Sequence, residues 1–214
     1  VTVEVSIASG LPCFDIVGLA DVAVRETRTR VRSAMEQSGY PFPMQRVTVN
    51  IGPAGVRKAG TGLDLAIACA TFAAMGELAH APLADYLLLG ELSLAGALRP
   101  VRGVLGMVLD ARDRGVPAVI VAPDDAAVAA SVEGIAVYAA SDLRHAVAIL
   151  GGVGAESPVP APAWEHADLD RTGLDFDMIA GHDGAKRALE IAAAGGHNVL
   201  FVGPPGAGKT LLAR

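Results

Sequence analysis

Over its first 150 residues, the chain alternates short apolar segments with segments in which apolar side chains recur every three or four positions. Residues 2–8 (TVEVSIA) alternate apolar and polar side chains, and residues 47–51 (VTVNI) are rich in β-branched residues, so both are predicted strands. Residues 118–122 and 135–139 are continuous apolar runs typical of short buried strands. Residues 86–96 (YLLLGELSLAG) predict either a strand pair or one bent strand.

Helices are predicted between these strands. The first spans residues 21–38, because apolar Val24, Val31 and Met35 recur at helical spacing and Gly39-Tyr40-Pro41 follows as a breaker. The others are predicted at 61–75, at 104–115, from Asp124 onward and at 141–150. Strands that alternate with helices indicate an α/β (α+β) domain over residues 1–150.

Residues 151–173 (GGVGAESPVPAPAWEHADLDRTG) differ from the sequence on either side. They contain Pro158, Pro160 and Pro162 and show neither a helical nor a strand period. Such a composition is typical of a linker. We therefore expect a boundary here, and the start of a second domain at residues 174–214.

The strongest motif in the sequence lies in residues 197–214 (HNVLFVGPPGAGKTLLAR), where a phosphate-loop pattern follows an apolar strand predicted at 198–202. Glycines let the loop backbone turn its N–H groups inward towards phosphates. Lys209 would reach the β- and γ-phosphates and the Thr210 hydroxyl would bind Mg²⁺. The predicted ATP-binding residues are Gly203, Pro204, Pro205, Gly206, Ala207, Gly208, Lys209 and Thr210.

A turn at residues 179–182 and a helix from Asp183 to Ala194 come before this loop. The arrangement resembles the segment that precedes the phosphate loop in AAA+ ATPases, where such a turn packs beside the adenine. That resemblance makes Ile179 and His182 candidates for adenine contact. The alternative is a turn and helix that simply pack on the sheet.

A working ATPase also needs an acidic residue on a further strand, and often an arginine finger from a neighbouring subunit. Residues 211–214 hold neither, so we assign no catalytic residue to this chain. We expect the sequence to be a truncated piece that does not hydrolyse ATP, and an intact parent protein that does.

Composition narrows the class of protein. The chain has 214 residues and a net charge of −6, which disfavours a nonspecific nucleic-acid coat, and 4% aromatic residues, which disfavours a base-stacking platform. Every apolar run is interrupted before about 18 positions, so we predict no membrane helix. We also predict no secretory signal, buried free thiols at Cys13 and Cys69 in a reducing cytoplasm, and no metal cluster among five scattered histidines.

Four segments together resemble one family: residues 10–43, 46–70, 87–103 and 193–210 are similar to the YifB/ComM proteins, bacterial magnesium-chelatase-like AAA+ ATPases. The resemblance implies a Lon-protease-like, ribosomal-S5-domain-2-like N-terminal domain followed by a linker and the truncated start of a P-loop AAA+ domain. It implies ATP and Mg²⁺ as cofactors, and a homo-hexameric DNA motor for branch migration and recombination in natural transformation. The alternative is an ATP-dependent chelatase-like or protein-remodelling ATPase.

The Lon-like resemblance raises the possibility of a peptidase that pairs a serine with a lysine. In the turn at residues 58–63, the position matching the nucleophile is Gly62. The position matching the lysine, within residues 102–107, is Leu105. Thr61 with Lys58 is a conceivable substitute pair, but we favour a non-proteolytic domain.

An arginine-rich helix face is the candidate for DNA contact. Arg25, Arg28 and Arg32 share one face of the first predicted helix. Residues 1–60 hold seven basic and five acidic side chains, and a hexamer would display six copies of this face. The alternative is a solvated helix face with ion pairs such as Glu26 to Arg30.

Overall fold

The computed structural model describes residues 1–19, 21–56, 58, 60–78, 82–153, 156–162 and 175–213. The chain separates into two compact units, Val1–Pro162 and Ala163–Arg214. Expectations that concern Arg57, Ala59, His80, His166 and linker residues 154–155 and 163–173 lie outside the described residues.

The first unit mixes strands and helices, as the sequence predicts. Its strands are β1 (Thr2–Ala8), β2 (Cys13–Val17), β3 (Arg46–Gly52), β4 (Tyr86–Leu88), β5 (Glu91–Leu92), β6 (Leu98–Arg99), β7 (Ala118–Val121) and β8 (Ala136–Ala139). Its helices are α1 (Val22–Gln37), α2 (Asp64–Met75), α3 (Val104–Asp113), α4 (Pro123–Ala130) and α5 (Leu143–Leu150). The α/β class is thus confirmed.

The first sheet has the order β1-β3-β2, with β1 antiparallel and β2 parallel to β3. The period-2 pattern of β1 sets its register, because Val3, Val5 and Ile7 pair with Ile51, Val49 and Val47 across the ladder. These three residues of β3 are fully buried. One face of the sheet therefore packs on the core, and the other carries the polar residues of β1.

The second sheet is parallel throughout, in the order β4-β7-β8. All four residues of β7, the central strand, are buried, as its continuous apolar run predicts. Residues 86–96 divide between two structures: β4 joins this sheet, and β5 forms a separate antiparallel hairpin with β6. The strand-pair prediction identified the break, but the two strands do not pair with each other.

Helix α1 begins after Asp21, whose side chain accepts a hydrogen bond from the Val24 N–H at 2.9 Å. Val24, Val31 and Met35 are fully buried, which confirms the predicted apolar face. Helix α2 begins later than predicted. Residues 61–63 form a turn instead, and the Asp64 N–H donates to the Thr61 carbonyl at 3.3 Å.

A buried carboxylate, that of Asp64, joins α2 to α1 and to β5. It accepts hydrogen bonds from Thr27 Oγ1 at 2.7 Å, from Arg30 Nε at 2.6 Å and from the Leu92 N–H at 3.1 Å. Asp64 is fully buried and the Arg30 side chain is 16% exposed. Because a buried charge is stable only when paired and hydrogen-bonded, the three elements depend on one another.

The turn of the β5–β6 hairpin packs closely on α1. Gly96 has a φ of +87°, and a β-carbon there would overlap with Ser38 Oγ. Ser33 Oγ donates to the Leu94 carbonyl at 3.0 Å, and Arg144 Nε of α5 donates to the Ser38 carbonyl at 2.6 Å. The hairpin and α5 thus fix the C-terminal end of α1.

Part of the predicted linker contacts the first unit. The Val159 N–H donates to the Val137 carbonyl of β8 at 2.7 Å, and His145 Nε2 lies 2.9 Å from Glu156 Oε1. Residues 156–162 therefore belong structurally to the first unit.

The two cysteines differ in burial. Cys69 is fully buried in α2, and burial raises the pKa of its thiol to about 12. Cys13 is half-buried, which corrects the prediction that both thiols are buried. Partial desolvation and a hydrogen bond to Asp15 raise the pKa of Cys13, so its accessibility rather than its acidity sets its reactivity.

Within the described part of the chain, no helix is long and apolar enough to cross a membrane. Among the same residues, no group of three His, Cys, Asp or Glu side chains is arranged to hold a metal ion.

Replacing Asp64 by alanine should lower the free energy of unfolding by about 3–5 kcal/mol, because Arg30 and Thr27 would stay buried without their acceptor. Urea denaturation measures the loss. The matched control is Asp110→Ala, which removes the exposed ion pair with Arg114 and should cost less than about 1 kcal/mol. An equal loss of unfolding free energy in the two variants would contradict a structural role for the buried pair.

Cys13 should react with N-ethylmaleimide in the folded chain at pH 8 while Cys69 stays protected, because Cys69 is fully buried and its pKa is raised to about 12. Mass spectrometry of peptides from the treated protein measures each site. Unfolding in urea should expose both thiols equally. Modification of Cys69 at the rate of Cys13 before unfolding would show that α2 is not packed as described.

Candidate functional site

The second unit contains, in its described residues, a 3-10 turn at Phe176–Met178 and the helices α6 (Asp183–Gly195) and α7 (Lys209–Leu212). The strand predicted at residues 198–202 is wrong as a hydrogen-bonded element, because this segment pairs with no strand among residues 175–213. Leu200 and Val202 are 86% and 88% exposed. An apolar, β-prone segment becomes a strand only when a neighbour satisfies its backbone.

The phosphate-loop motif forms a turn that leads into α7. Gly206 and Gly208 have φ values of +81° and +73°, which side-chain-bearing residues rarely adopt. No atom lies within 4 Å of the position that a β-carbon on Gly206 would occupy. The Ala207 N–H donates to the Pro204 carbonyl at 3.4 Å. The two glycines thus allow backbone conformations that side-chain-bearing residues rarely adopt, and the space beside Gly206 is open.

Lys209 folds back over this loop. Its Nζ donates hydrogen bonds to the Gly203 carbonyl at 2.8 Å and to the Pro204 carbonyl at 2.6 Å. The exposed Thr210 follows it in the first turn of α7. Residues 203–210 thus contain an ammonium group, a hydroxyl and an open glycine turn. These groups fit a phosphate chain with its Mg²⁺.

An apolar cavity of about 530 Å³ lies beside the end of this motif. Ile179 is buried in its wall, and the Lys186 ammonium donates to the Ile179 carbonyl and so holds the turn. The other lining residues are mostly apolar but include two carboxylates: Phe176, Leu189, Ala193, Leu211, Leu212 and Ala213, with Asp175 and Glu190. Sequence reasoning missed all eight, although Leu189 and Ala193 stand four apart on one face of α6.

The structure separates His182 from this apolar wall. Its side chain is exposed, and Nε2 lies 3.5 Å from the point where a β-carbon on Gly208 would stand. The two candidate adenine contacts thus have different neighbours: Ile179 lines the apolar cavity and His182 lies against the phosphate loop.

The arginines of α1 also have different partners. Arg25 and Arg28 are exposed, and their contacts among the described residues are with the backbone carbonyls of Asp21 and Phe14, at 3.4 and 3.5 Å. Arg32 pairs with Glu36 at 3.1 Å and stacks over the Phe42 ring at 5.6 Å. Arg25 and Arg28 are therefore the more available cations of this face.

Arg30 belongs to the core rather than to this surface. It pairs with Asp64 at 2.6 Å, and the expected contact with Glu26 is a longer one at 3.8 Å. The hydrogen bond to Asp64 raises the pKa of Arg30, and this effect outweighs the burial that lowers it.

Among the described residues, the two positions that match a Ser–Lys peptidase pair carry neither a nucleophile nor a base. A β-carbon on Gly62 would lie 3.5 Å from Val101 Cγ1, and Leu105 is a partly exposed residue of α3. Lys58 is buried, and its ammonium donates to the Pro53 carbonyl rather than to Thr61. The substitute pair of Thr61 and Lys58 is therefore not assembled.

Comparison with known families gives two matches that together cover most of the chain. A family model described as subunit ChlI of Mg-chelatase matches residues 3–125, and one described as magnesium chelatase, subunit ChlI, matches residues 175–214. The chain belongs to this Mg-chelatase-like family. It is a family of AAA+-type ATPases that includes the YifB and ComM proteins, so the predicted family is confirmed.

Curated relatives align with the whole chain. The uncharacterized protein YifB of Escherichia coli (strain K12) is 42% identical over 214 residues, and an uncharacterized protein of Mycobacterium tuberculosis is 40% identical over 221 residues. Competence protein ComM of Haemophilus influenzae is 39% identical over 216 residues. Each alignment covers 100% of this chain but 41% or 42% of the relative, so the chain spans about two fifths of their length.

Proposed function

We propose that the second unit binds ATP with Mg²⁺ through residues 203–210. The observation that carries this proposal is the geometry of the loop: positive φ at Gly206 and Gly208, open space at Gly206, and a lysine ammonium held at the loop by its carbonyls. The family match to an ATPase subunit supports it. The apolar cavity beside Ile179 provides a surface of the kind that a nucleotide base needs.

Each residue of the loop has a distinct part in this proposal. The N–H groups around Gly206 and Gly208 donate hydrogen bonds to phosphate oxygens. The Lys209 ammonium leaves the Gly203 and Pro204 carbonyls and donates instead to the phosphate oxygens, which are more negative acceptors. The Thr210 hydroxyl orients towards the metal. Bound Mg²⁺ would supply charge neutralisation of the phosphates.

Replacing Lys209 by alanine should weaken ATP binding by the full-length protein at least tenfold, because charge-assisted hydrogen bonds to phosphate are among the strong ones. Isothermal titration calorimetry with Mg-ATP measures the change. The matched control is Arg114→Ala, which removes an exposed cation of the first unit that pairs with Asp110. Equal affinities of wild type and Lys209→Ala would contradict nucleotide binding at this loop.

For the whole protein, we propose an ATP-dependent DNA motor that works as a homo-hexamer in the bacterial cytoplasm, in branch migration and recombination during natural transformation. The name of the Haemophilus influenzae relative, competence protein, agrees with this role. We further propose that residues 1–150 form a non-proteolytic domain of the Lon-like, ribosomal-S5-domain-2-like type. The absence of an assembled peptidase pair among the described residues supports the non-proteolytic part of this proposal, and the Lon-like fold rests on the sequence resemblance.

The DNA-facing surface in this proposal is the exposed side of α1, with Arg25 and Arg28 at its centre and Arg32 beside them. Arg25 and Arg28 form no ion pair with a carboxylate among the described residues, so phosphate contact need not break one. Arg32 would first have to leave Glu36.

Reversing the charge of Arg25 and Arg28 together, as Arg25→Glu with Arg28→Glu, should weaken DNA binding by the full-length protein. It should also reduce the slope of log K against log salt by about 2, because each lost phosphate contact removes about 0.9. Fluorescence anisotropy at several salt concentrations measures both quantities. The control, Arg112→Glu with Arg114→Glu at the C-terminal end of α3, changes the net charge equally. An equal effect of the two double variants would contradict a specific α1 contact.

A protein-remodelling or chelatase-like ATPase is the second candidate, and a partly apolar groove of the first unit favours it. The groove, of about 80 Å³, is lined by Phe14, Phe42 and the largely exposed Met44, and also by Arg32 and Gln45. ATPase activity of the full-length protein with branched DNA, linear DNA or no DNA separates the candidates. Stimulation by branched DNA supports the motor, and indifference to DNA supports the remodeller.

A further inference from the structure

His182 has a backbone conformation that is uncommon for a residue other than glycine. Its φ of +61° and ψ of +27° place it in the left-handed region, and among the described residues no other non-glycine residue has a positive φ. A β-carbon is disfavoured in this region, and such residues are found more often at functional sites than elsewhere. The conformation places the imidazole directly before the first turn of α6.

The side chain of His182 lies next to the phosphate loop. Its Nε2 is 3.5 Å from the β-carbon position of Gly208, the residue immediately before Lys209. Within the described residues the imidazole makes no hydrogen bond of its own, and it does not cap α6. A solvent-exposed ring edge with its donor capacity unused therefore borders the loop.

The surroundings of Ile179 and His182 suit different parts of a nucleotide. Ile179 is buried in the wall of the apolar cavity, with Phe176 and Leu212. A base can pack against such a wall. Phosphate oxygens accept hydrogen bonds, and an imidazole donates one when neutral and two when protonated.

We propose that His182 donates a hydrogen bond to the phosphate chain of the bound nucleotide and makes the site sensitive to the number of phosphates, while Ile179 contacts the base. The proposal rests on the proposed function and deepens it. It assigns His182 a role in phosphate recognition instead of the adenine contact expected from the sequence.

The test compares wild-type full-length protein with His182→Asn. Asparagine adopts positive φ more readily than most residues, so α6 can still begin at the same place, but its side chain is shorter than that of histidine. ATP affinity should fall about tenfold, and the ATP-to-AMP affinity ratio should fall with it. The ratio of ATP to inosine triphosphate affinity should not change. Circular dichroism and a melting curve check that the variant is folded.

A direct readout separates contact from an indirect effect on loop shape. In protein labelled with ¹³C-histidine, the His182 signal is the one missing from the His182→Asn spectrum. Inorganic triphosphate, which has no base, should shift this signal, and adenosine should not. His182→Gln, which keeps a donor of similar reach, should recover part of the lost ATP affinity.

The outcomes distinguish this inference from the proposed function. If the wild type binds ATP and His182→Asn binds it equally well, the inference is overturned and nucleotide binding stands. A changed preference between ATP and inosine triphosphate, or a signal that moves with adenosine alone, assigns His182 to the base and also overturns it. A folded wild type that binds no ATP overturns both.

Discussion

The carboxylate of Asp64 is the interaction on which the first unit most depends. It is fully buried, yet it carries a charge that arginine and threonine side chains of α1 and a backbone N–H of β5 satisfy. Moving such a group out of water is costly unless every partner is in place. Helix α1, helix α2 and the β5–β6 hairpin therefore have one arrangement that meets this requirement, and the arginine face of α1 takes its orientation from it.

That orientation assigns different roles to arginines that look alike in the sequence. Arg30 faces inward to Asp64, whereas Arg25 and Arg28 remain exposed on the outer side of the same helix. Arg32 is also at the surface, but Glu36 and Phe42 already contact its guanidinium group. The buried pair thus supports the candidate DNA surface without being part of it, since a helix anchored by one arginine presents the others in a fixed direction.

In the second unit, a phosphate loop, an apolar cavity and a histidine lie around one short stretch of chain. The glycines permit the loop, Lys209 already donates to oxygen acceptors there, and Ile179 and His182 are separated by three positions but have apolar and polar surroundings. The same turn places Ile179 at the cavity and His182 at the loop. The two residues can therefore contact two different parts of one ligand. This division, more than the motif alone, connects the geometry with the nucleotide binding that we propose.

The sequence by itself determined the features that depend on neighbours in the chain: the strands of period 2, the apolar stripe of α1, the phosphate-loop motif and the family. Tertiary structure decided the rest. Thr27 and Asp64 are 37 residues apart, and no local pattern predicts that they meet. His182 and Gly208 are brought together in the same way. The apolar run at 198–202 is not a strand here because a strand needs a partner as well as a pattern. Local periodicity reports which residues prefer burial, whereas the path of the whole chain decides what each one touches.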